Sequence, residues 1–397
     1  MHSRRPRPLR QLLLLPLLWL AASCGGGSSS VPPDAPPAVE AEPTGPGRLE
    51  SATFLHRISA AAINDAVHAP GNRTPTLVPV YDVDNYRIIY LTTDRQGRET
   101  VASGLVSVPA KAAGAKSPVL SYQHATIYRD AEAPSNAVSA AEPAIAVASL
   151  GYVVVAADYV GYGASKGQPH PYLLAAPSAS AVVDLLTAAR TWRRRNNVVD
   201  NGQLFLTGYS EGGYVSVAAH RALQASRSVH LASLVAAAPG AGPYHVGVTL
   251  DELLRRVREQ DPLLGALISP GLLRHLGASL RRQVRDALLK QLVPADADVV
   301  FDATVLDNYL ADDAAAIERQ SNVHAWAPAA PTRFFHGRDD QTVSYVSATQ
   351  TLQAMVALGA RDASLTDCAA LPSGHINCVP DFLQFMLGDF ASRARDL

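Results

Sequence analysis

QLFLTGYSEGGY, from Gln203 to Tyr214, reads as a short strand, a tight turn and the start of a helix. Leu204, Phe205 and Leu206 form an apolar run, Gly208-Tyr209-Ser210-Glu211-Gly212 follows at once, and Tyr214 to Leu223 is compatible with a helix. The G-x-S-x-G spacing has a steric reason. A serine on so sharp a turn needs small neighbours two residues before and after it, so that strand and helix approach without side-chain clash. Its hydroxyl is then held out at the end of the strand. The spacing alone is weak evidence, because glycine and serine are common residues, and it gains meaning from the flanking strand and helix.

Working outward, Pro118 to Tyr122, Tyr152 to Ala157, Leu204 to Thr207, Ser233 to Ala238 and Arg333 to Phe335 are short apolar runs. Runs of this kind are buried on both faces of a parallel sheet. Between them, Val138 to Leu150, Ser178 to Arg194 and Tyr214 to Gln224 can each bury one face as a helix. The alternation predicts an α/β fold: a mostly parallel sheet with right-handed crossovers and helices on both faces. Upstream, Tyr86 to Thr93 and Thr100 to Val108 are β-rich and joined by Asp94-Arg95-Gln96-Gly97, which predicts an antiparallel N-terminal hairpin. Leu49, Thr53, Ala60 and Ile63 stand at roughly helical intervals, so a short helix is expected within Leu49 to Val67.

One segment breaks the alternation. Residues 249–326 offer no convincing strand, only helix-like runs such as Leu250 to Arg258, Leu272 to Leu292 and Ala311 to Glu318, broken by Pro262, Pro270 and Pro294. They read as a helical cap inserted between the two parts of the sheet domain, 49–248 and 327–397. Leu253, Leu254, Leu263, Leu264, Leu267, Ile268, Leu272 and Leu273 either pack inward on each other and the sheet, or line an acyl pocket over the serine. Arg255, Arg256, Arg258, Arg281, Arg282 and Arg285 read as the solvated face of the insertion.

With 397 residues, the chain has room for one large or two ordinary domains, and its 34 basic residues nearly balance 35 acidic ones. There is no basic surplus to argue for nucleic acid. Residues 1–23 read as an export signal: Arg4, Arg5, Arg7 and Arg10 precede an apolar run, Leu12 to Ala22, too short to span a membrane in the ordinary way. Leu20-Ala21-Ala22-Ser23-Cys24 resembles the lipobox of bacterial lipoproteins, which implies lipidation of Cys24 and membrane anchoring; the alternative is secretion after cleavage near Ala22 or Ser23. Cleavage removes four arginines and no acids, leaving a mature charge of about −5. Residues 24–48, rich in Gly, Ser and Pro, read as a flexible tether. In an oxidising compartment the remaining pair, Cys368 and Cys378, is expected to form a short-loop disulfide. No C-x-x-C pair is present, and neither a metal nor a cofactor is expected.

A neutral serine is a poor nucleophile, so it needs a base within hydrogen-bond reach and an acid to orient that base. Phe334-Phe335-His336-Gly337-Arg338-Asp339-Asp340 ends one predicted strand, and Pro372-Ser373-Gly374-His375 follows a last one, Ser364 to Asp367. The order is serine, acid, histidine. On these residues, and on Asp158-Tyr159-Val160-Gly161-Tyr162-Gly163, the chain resembles the α/β-hydrolases over roughly residues 80–390, and within them the secretory lipase and esterase branch. The resemblance implies an α/β-hydrolase fold with Ser210, Asp340 and His375 as catalytic residues, the H-G-x-x-D pattern selecting Asp340 over Asp339. Ser121-Tyr122-Gln123-His124-Ala125-Thr126 looks like the family's oxyanion loop, with Ala125 where many relatives have glycine. The backbone amide of Glu211, with that of Thr126 or Ala125, then faces the oxyanion. His124 and His336 are expected to hydrogen-bond loops, and Asp158 to fix one.

The expected activity is hydrolysis of carboxylic esters, lipid-like or of short to medium acyl length, by an exported enzyme. The rivals are a peptidase or acyl-amide hydrolase on the same triad, and a non-catalytic surface lipoprotein that keeps the fold as a binding module. Neither the oligomeric state nor the alcohol and acyl length of the substrate is legible in the sequence.

Overall fold

The sheet is built from β1 (Leu49–Ile58), β2 (Val83–Thr93), β3 (Glu99–Pro109), β4 (Ser117–Gln123), β5 (Val153–Ala157), β6 (Asp200–Tyr209), β7 (Leu234–Gly240), β8 (Thr332–His336) and β9 (Ala363–Asp367). Their order in space is β1-β2-β3-β5-β4-β6-β7-β8-β9. Strands β4 to β9 pair in parallel, whereas β1, β2 and β3 are antiparallel and β3 joins β5 antiparallel. The computed structural model describes residues 42–70, 77–260, 275 and 277–397. The signal, Cys24 and the tether to residue 41 lie outside them, as do Leu263, Leu264, Leu267, Ile268, Leu272 and Leu273.

Alternation along the strands divides the core in two. On β6, Leu204 and Leu206 join one apolar cluster and Phe205 the other. The first cluster contains Leu185 of helix α3 (Ala175–Arg195) and Tyr214 and Val217 of α4 (Glu211–Ala225); the second holds Ile145 of α2 (Pro143–Ala148) and Phe382 and Phe390 of α10 (Val379–Ala391). Helices therefore cover both faces, and each fully buried Leu or Phe contributes about 1.5–3 kcal/mol.

The N-terminus corrects the sequence expectation. Leu49–Ile58 is an edge strand, not part of a helix, and only Ala60–Val67 (α1) is helical. The helix starts where Ser59 Oγ accepts the Ala62 N–H as a side-chain cap. Most of β1 is solvent-exposed, so its residues follow backbone pairing with β2 and carry little hydrophobic period. Pairing begins still earlier: Gly47 N–H donates to Leu91 O at 2.8 Å and Leu91 N–H to Arg48 O at 3.0 Å.

Between β7 and β8 run α5 (Val246–Gln260), α6 (Ala278–Leu292), α7 (Thr304–Leu310) and α8 (Ala314–Gln320), and α9 (Tyr345–Ala357) follows β8. Leu254, Val257, Val284, Leu288 and Leu310 form a small apolar cluster among these helices, while Leu253 packs on the larger core. The described leucines thus pack inward. No helix among the described residues is long and apolar enough to cross a membrane.

Strand order fixes the location of chemistry. The chain leaves β4 toward β5 on one side and returns from β5 to β6 on the other, so the direction of winding reverses between β4 and β6. Carboxyl ends of neighbouring strands open a crevice at such a point, and ligands bind there in open α/β sheets. Gln123 ends β4, and Ser210 follows β6.

Candidate active site

Ser210 sits between β6 and α4 at φ 58°, ψ −122°. A left-handed φ on a non-glycine residue costs on the order of 1–3 kcal/mol and persists only where the surroundings impose it. Here they do. Ser210 N–H donates to Gly240 O at 2.9 Å, and the flanking glycines let backbones touch. A Cβ on Gly208 would lie 2.5 Å from Gln123 O, and one on Gly212 only 2.0 Å from the same oxygen. The glycines thus press the start of α4 against the end of β4, which brings the segment from Gln123 to Thr126 beside the serine.

His375 lies in the loop after β9, which the Cys368–Cys378 disulfide closes with the two Cα atoms 5.8 Å apart. Tyr209 Oη donates to His375 O at 2.7 Å, a second tether from the residue before Ser210. The ring then bridges two partners. Its Nδ1–H donates to Asp340 Oδ2 at 2.6 Å, and its Nε2 stands 2.9 Å from Ser210 Oγ as acceptor. The tautomer follows from the carboxylate, which can only accept.

Asp340 is buried at the end of β8. Its Oδ1 accepts the N–H groups of Thr342 at 2.8 Å and Val343 at 2.9 Å, and its Oδ2 takes His375 and, at 3.2 Å, His336 Nε2. Burial by itself would raise the pKa of this carboxyl. The hydrogen bonds and charge interactions with His336 and His375 outweigh that and hold it well below the usual carboxylate range. Asp339, by contrast, is exposed and accepts both the N–H and the hydroxyl of Ser373 at 2.9 Å, so it fastens the histidine loop from outside. Of the two neighbouring acids, the structure brings Asp340 to the histidine.

His124 and His336 hold loops. His124 Nδ1 meets Ala125 O at 2.7 Å and its ring stacks on Tyr159, while His336 Nε2 meets Val343 O at 2.9 Å. Asp158 accepts Ser103 Oγ at 2.5 Å, Ser135 Oγ at 2.6 Å and Ser135 N–H at 2.8 Å, which ties the β5 loop to β3. The Glu211 N–H opens α4 and belongs to the first turn, which has no intrahelical acceptors. Ala125 and Thr126 lie on the loop that Gly212 draws in, and Thr126 Oγ1 is 3.3 Å from Tyr172 Oη. Sequence reasoning passed over His170, whose ring lies against the Glu211 carboxylate. No motif marks it, since it sits in a Gly-Gln-Pro-His-Pro loop with no periodicity. Among the described residues no group of three or more His, Cys, Asp or Glu side chains is placed to hold a metal ion.

Several solved structures share this fold. A Legionella pneumophila protein described provisionally as a hydrolase is 23% identical, with a TM-score of 0.68 over 87% of this chain and 97% of its own. A ligand-bound form of the rice cell wall degrading esterase LipA of Xanthomonas oryzae is 22% identical, with a TM-score of 0.67 over 88% of this chain and all of its own. Candida antarctica lipase A in its closed state is 19% identical, with a TM-score of 0.53 over 84% and 78%. No curated protein matches the sequence. The profile described as X-Pro dipeptidyl-peptidase (S15 family) matches residues 104–377, well over half of the chain and all of the segment that carries Ser210, Asp340 and His375. The fold and this match together make the chain an α/β-hydrolase that belongs to the S15 family.

Proposed function

We propose that this hydrolase cleaves carboxylic esters through Ser210, His375 and Asp340. The observation that carries the reading is the continuous chain of contacts from Ser210 Oγ to His375 Nε2 at 2.9 Å and from His375 Nδ1 to Asp340 Oδ2 at 2.6 Å. His375 takes the serine proton as Oγ attacks the carbonyl carbon, and Asp340 stabilises the imidazolium. The N–H of Glu211 and that of Thr126 or Ala125 hold the oxyanion, each such donor being worth about 3 kcal/mol in rate. The alcohol leaves with the proton from His375, and water then repeats the sequence on the acyl-enzyme.

The family description favours a second reading, removal of X-Pro dipeptides. An enzyme that selects a free N-terminus needs an anion near the serine to hold the ammonium group. Of the carboxylates described above, Asp339 is hydrogen-bonded to Ser373, Asp340 to His375, Asp158 to Ser103 and Ser135, and Glu211 through Oε1 to His170. That favours a neutral acyl group and an ester. Paired substrates separate the two readings: 4-nitrophenyl butyrate against butyryl 4-nitroanilide and Ala-Pro 4-nitroanilide. The ester is expected to be hydrolysed fastest, and a higher kcat/KM on Ala-Pro 4-nitroanilide overturns the ester reading in favour of the dipeptidase.

Export belongs to the same proposal. The Cys368–Cys378 bond suits an oxidising compartment, and Cys24 would anchor the mature chain to a membrane if lipidated. Residues 249–326 are read as the cap that shapes the acyl site.

A further inference from the structure

We propose that His170 is a positioning residue for this reaction: it fixes Glu211, whose N–H faces the oxyanion, and cancels the charge of its carboxylate. The inference rests on the function proposed above. Glu211 and His170 are each 1% exposed. Glu211 Oε1 lies 2.7 Å from His170 Nε2, and Oε2 has no partner among the described residues. On the other side of the ring, His170 Nδ1 lies 2.9 Å from Val160 O.

Hydrogen counting gives the pair its charge. Both ring nitrogens face acceptors, so each contact has to run through a hydrogen. One proton sits on Nδ1 and is donated to Val160. The second lies between Nε2 and the Glu211 carboxylate, and wherever along that bond it resides, the pair is net neutral. The surroundings would not screen a bare carboxylate, because the rings of Tyr159, Tyr162, Tyr172 and Phe301 lie 5.0–6.0 Å from the His170 ring, centroid to centroid.

That neutrality matters to one species on the reaction path. A negative oxygen develops beside the Glu211 N–H, so an unpaired carboxylate on the same residue repels it in a site of low dielectric. The neutral ester of the ground state feels little of this. Loss of His170 therefore raises the barrier more than it weakens binding. The same residue also anchors the insertion: His170 N–H donates to Val300 O at 2.7 Å, and His170 O accepts the Asp302 N–H at 2.8 Å. One side chain and its own backbone thus tie the cap segment around Phe301 to the residue after the nucleophile.

Labelling of Ser210 by a fluorophosphonate tests this without choosing a substrate class. An Oγ–P bond forms, the P–F bond breaks, fluoride leaves, the serine proton passes to His375, and a phosphoryl oxygen takes the oxyanion position. Wild type is expected to label at Ser210, His170→Phe about 10–100-fold more slowly, and His170→Phe/Glu211→Gln at least about threefold faster than His170→Phe, since the second change removes the unpaired charge. A residue that only filled space would not be rescued by Glu211→Gln. Labelling of His170→Phe within twofold of wild type, or a double variant no faster than the single one, overturns the inference and leaves the proposed function standing. Wild type that does not label overturns both. Circular dichroism checks folding, and if His170→Phe does not fold, His170→Gln with and without Glu211→Gln gives the same comparison.

Discussion

At Ser210 a strained backbone and two touching glycines decide the direction of one hydroxyl, and the sequence carries this almost completely, because only glycine fits where a Cβ would meet Gln123 O at 2.5 or 2.0 Å. The choice between Asp339 and Asp340 is less legible. Both follow the same strand, and a pattern borrowed from a family favours one of them. The structure supplies the physical reason: Asp340 is buried with its oxygens shared among His375, His336 and two backbone N–H groups, whereas Asp339 faces solvent and serves Ser373. Asp340→Asn leaves the shape intact but removes the partner of the imidazolium, so kcat on 4-nitrophenyl butyrate is expected to fall by about 10³–10⁴-fold. Asp339→Asn is expected to cost far less, and steady-state kinetics on the two variants side by side checks the assignment. His170 illustrates the opposite limit. Its neighbours in the chain say nothing of Glu211, which lies 41 residues away, so only the folded geometry reveals the pair.

Among elements, the strands buried on both faces were legible within a few residues because an uninterrupted apolar run has few other uses. The exposed edge strand β1 was not, since its side chains carry no burial pattern and its conformation comes from pairing with β2. The loop that carries His375 was legible in its cysteines. Besides the disulfide, it is held by Tyr209 at the His375 carbonyl and by Asp339 at Ser373. Closure of so short a loop restricts the unfolded chain, and Cys368→Ser/Cys378→Ser is expected to lower stability by about 2–3 kcal/mol, read from urea unfolding. A freer histidine loop spends less time with Nε2 on Ser210 Oγ. The same variant is therefore expected to lose kcat with little change in KM, and a kcat equal to wild type would show that the other two tethers suffice.

The whole molecule places these parts where an α/β sheet presents its ligands, at the reversal of winding between β4 and β6. Fold and site position follow from the alternation of strands and helices, which the sequence displays. Substrate choice does not, because the leucine-rich insertion proposed as the cap has a weak period, and side chains of that kind suit a core as well as an acyl pocket. The central claim is narrower than substrate choice: the hydroxyl of Ser210 is the nucleophile. Hydrolysis of 4-nitrophenyl butyrate by wild type and Ser210→Ala, both shown folded by circular dichroism, tests it most directly. The account predicts turnover by wild type and a loss of at least about 10³-fold in Ser210→Ala. A Ser210→Ala protein that hydrolyses the ester at the wild-type rate would contradict it.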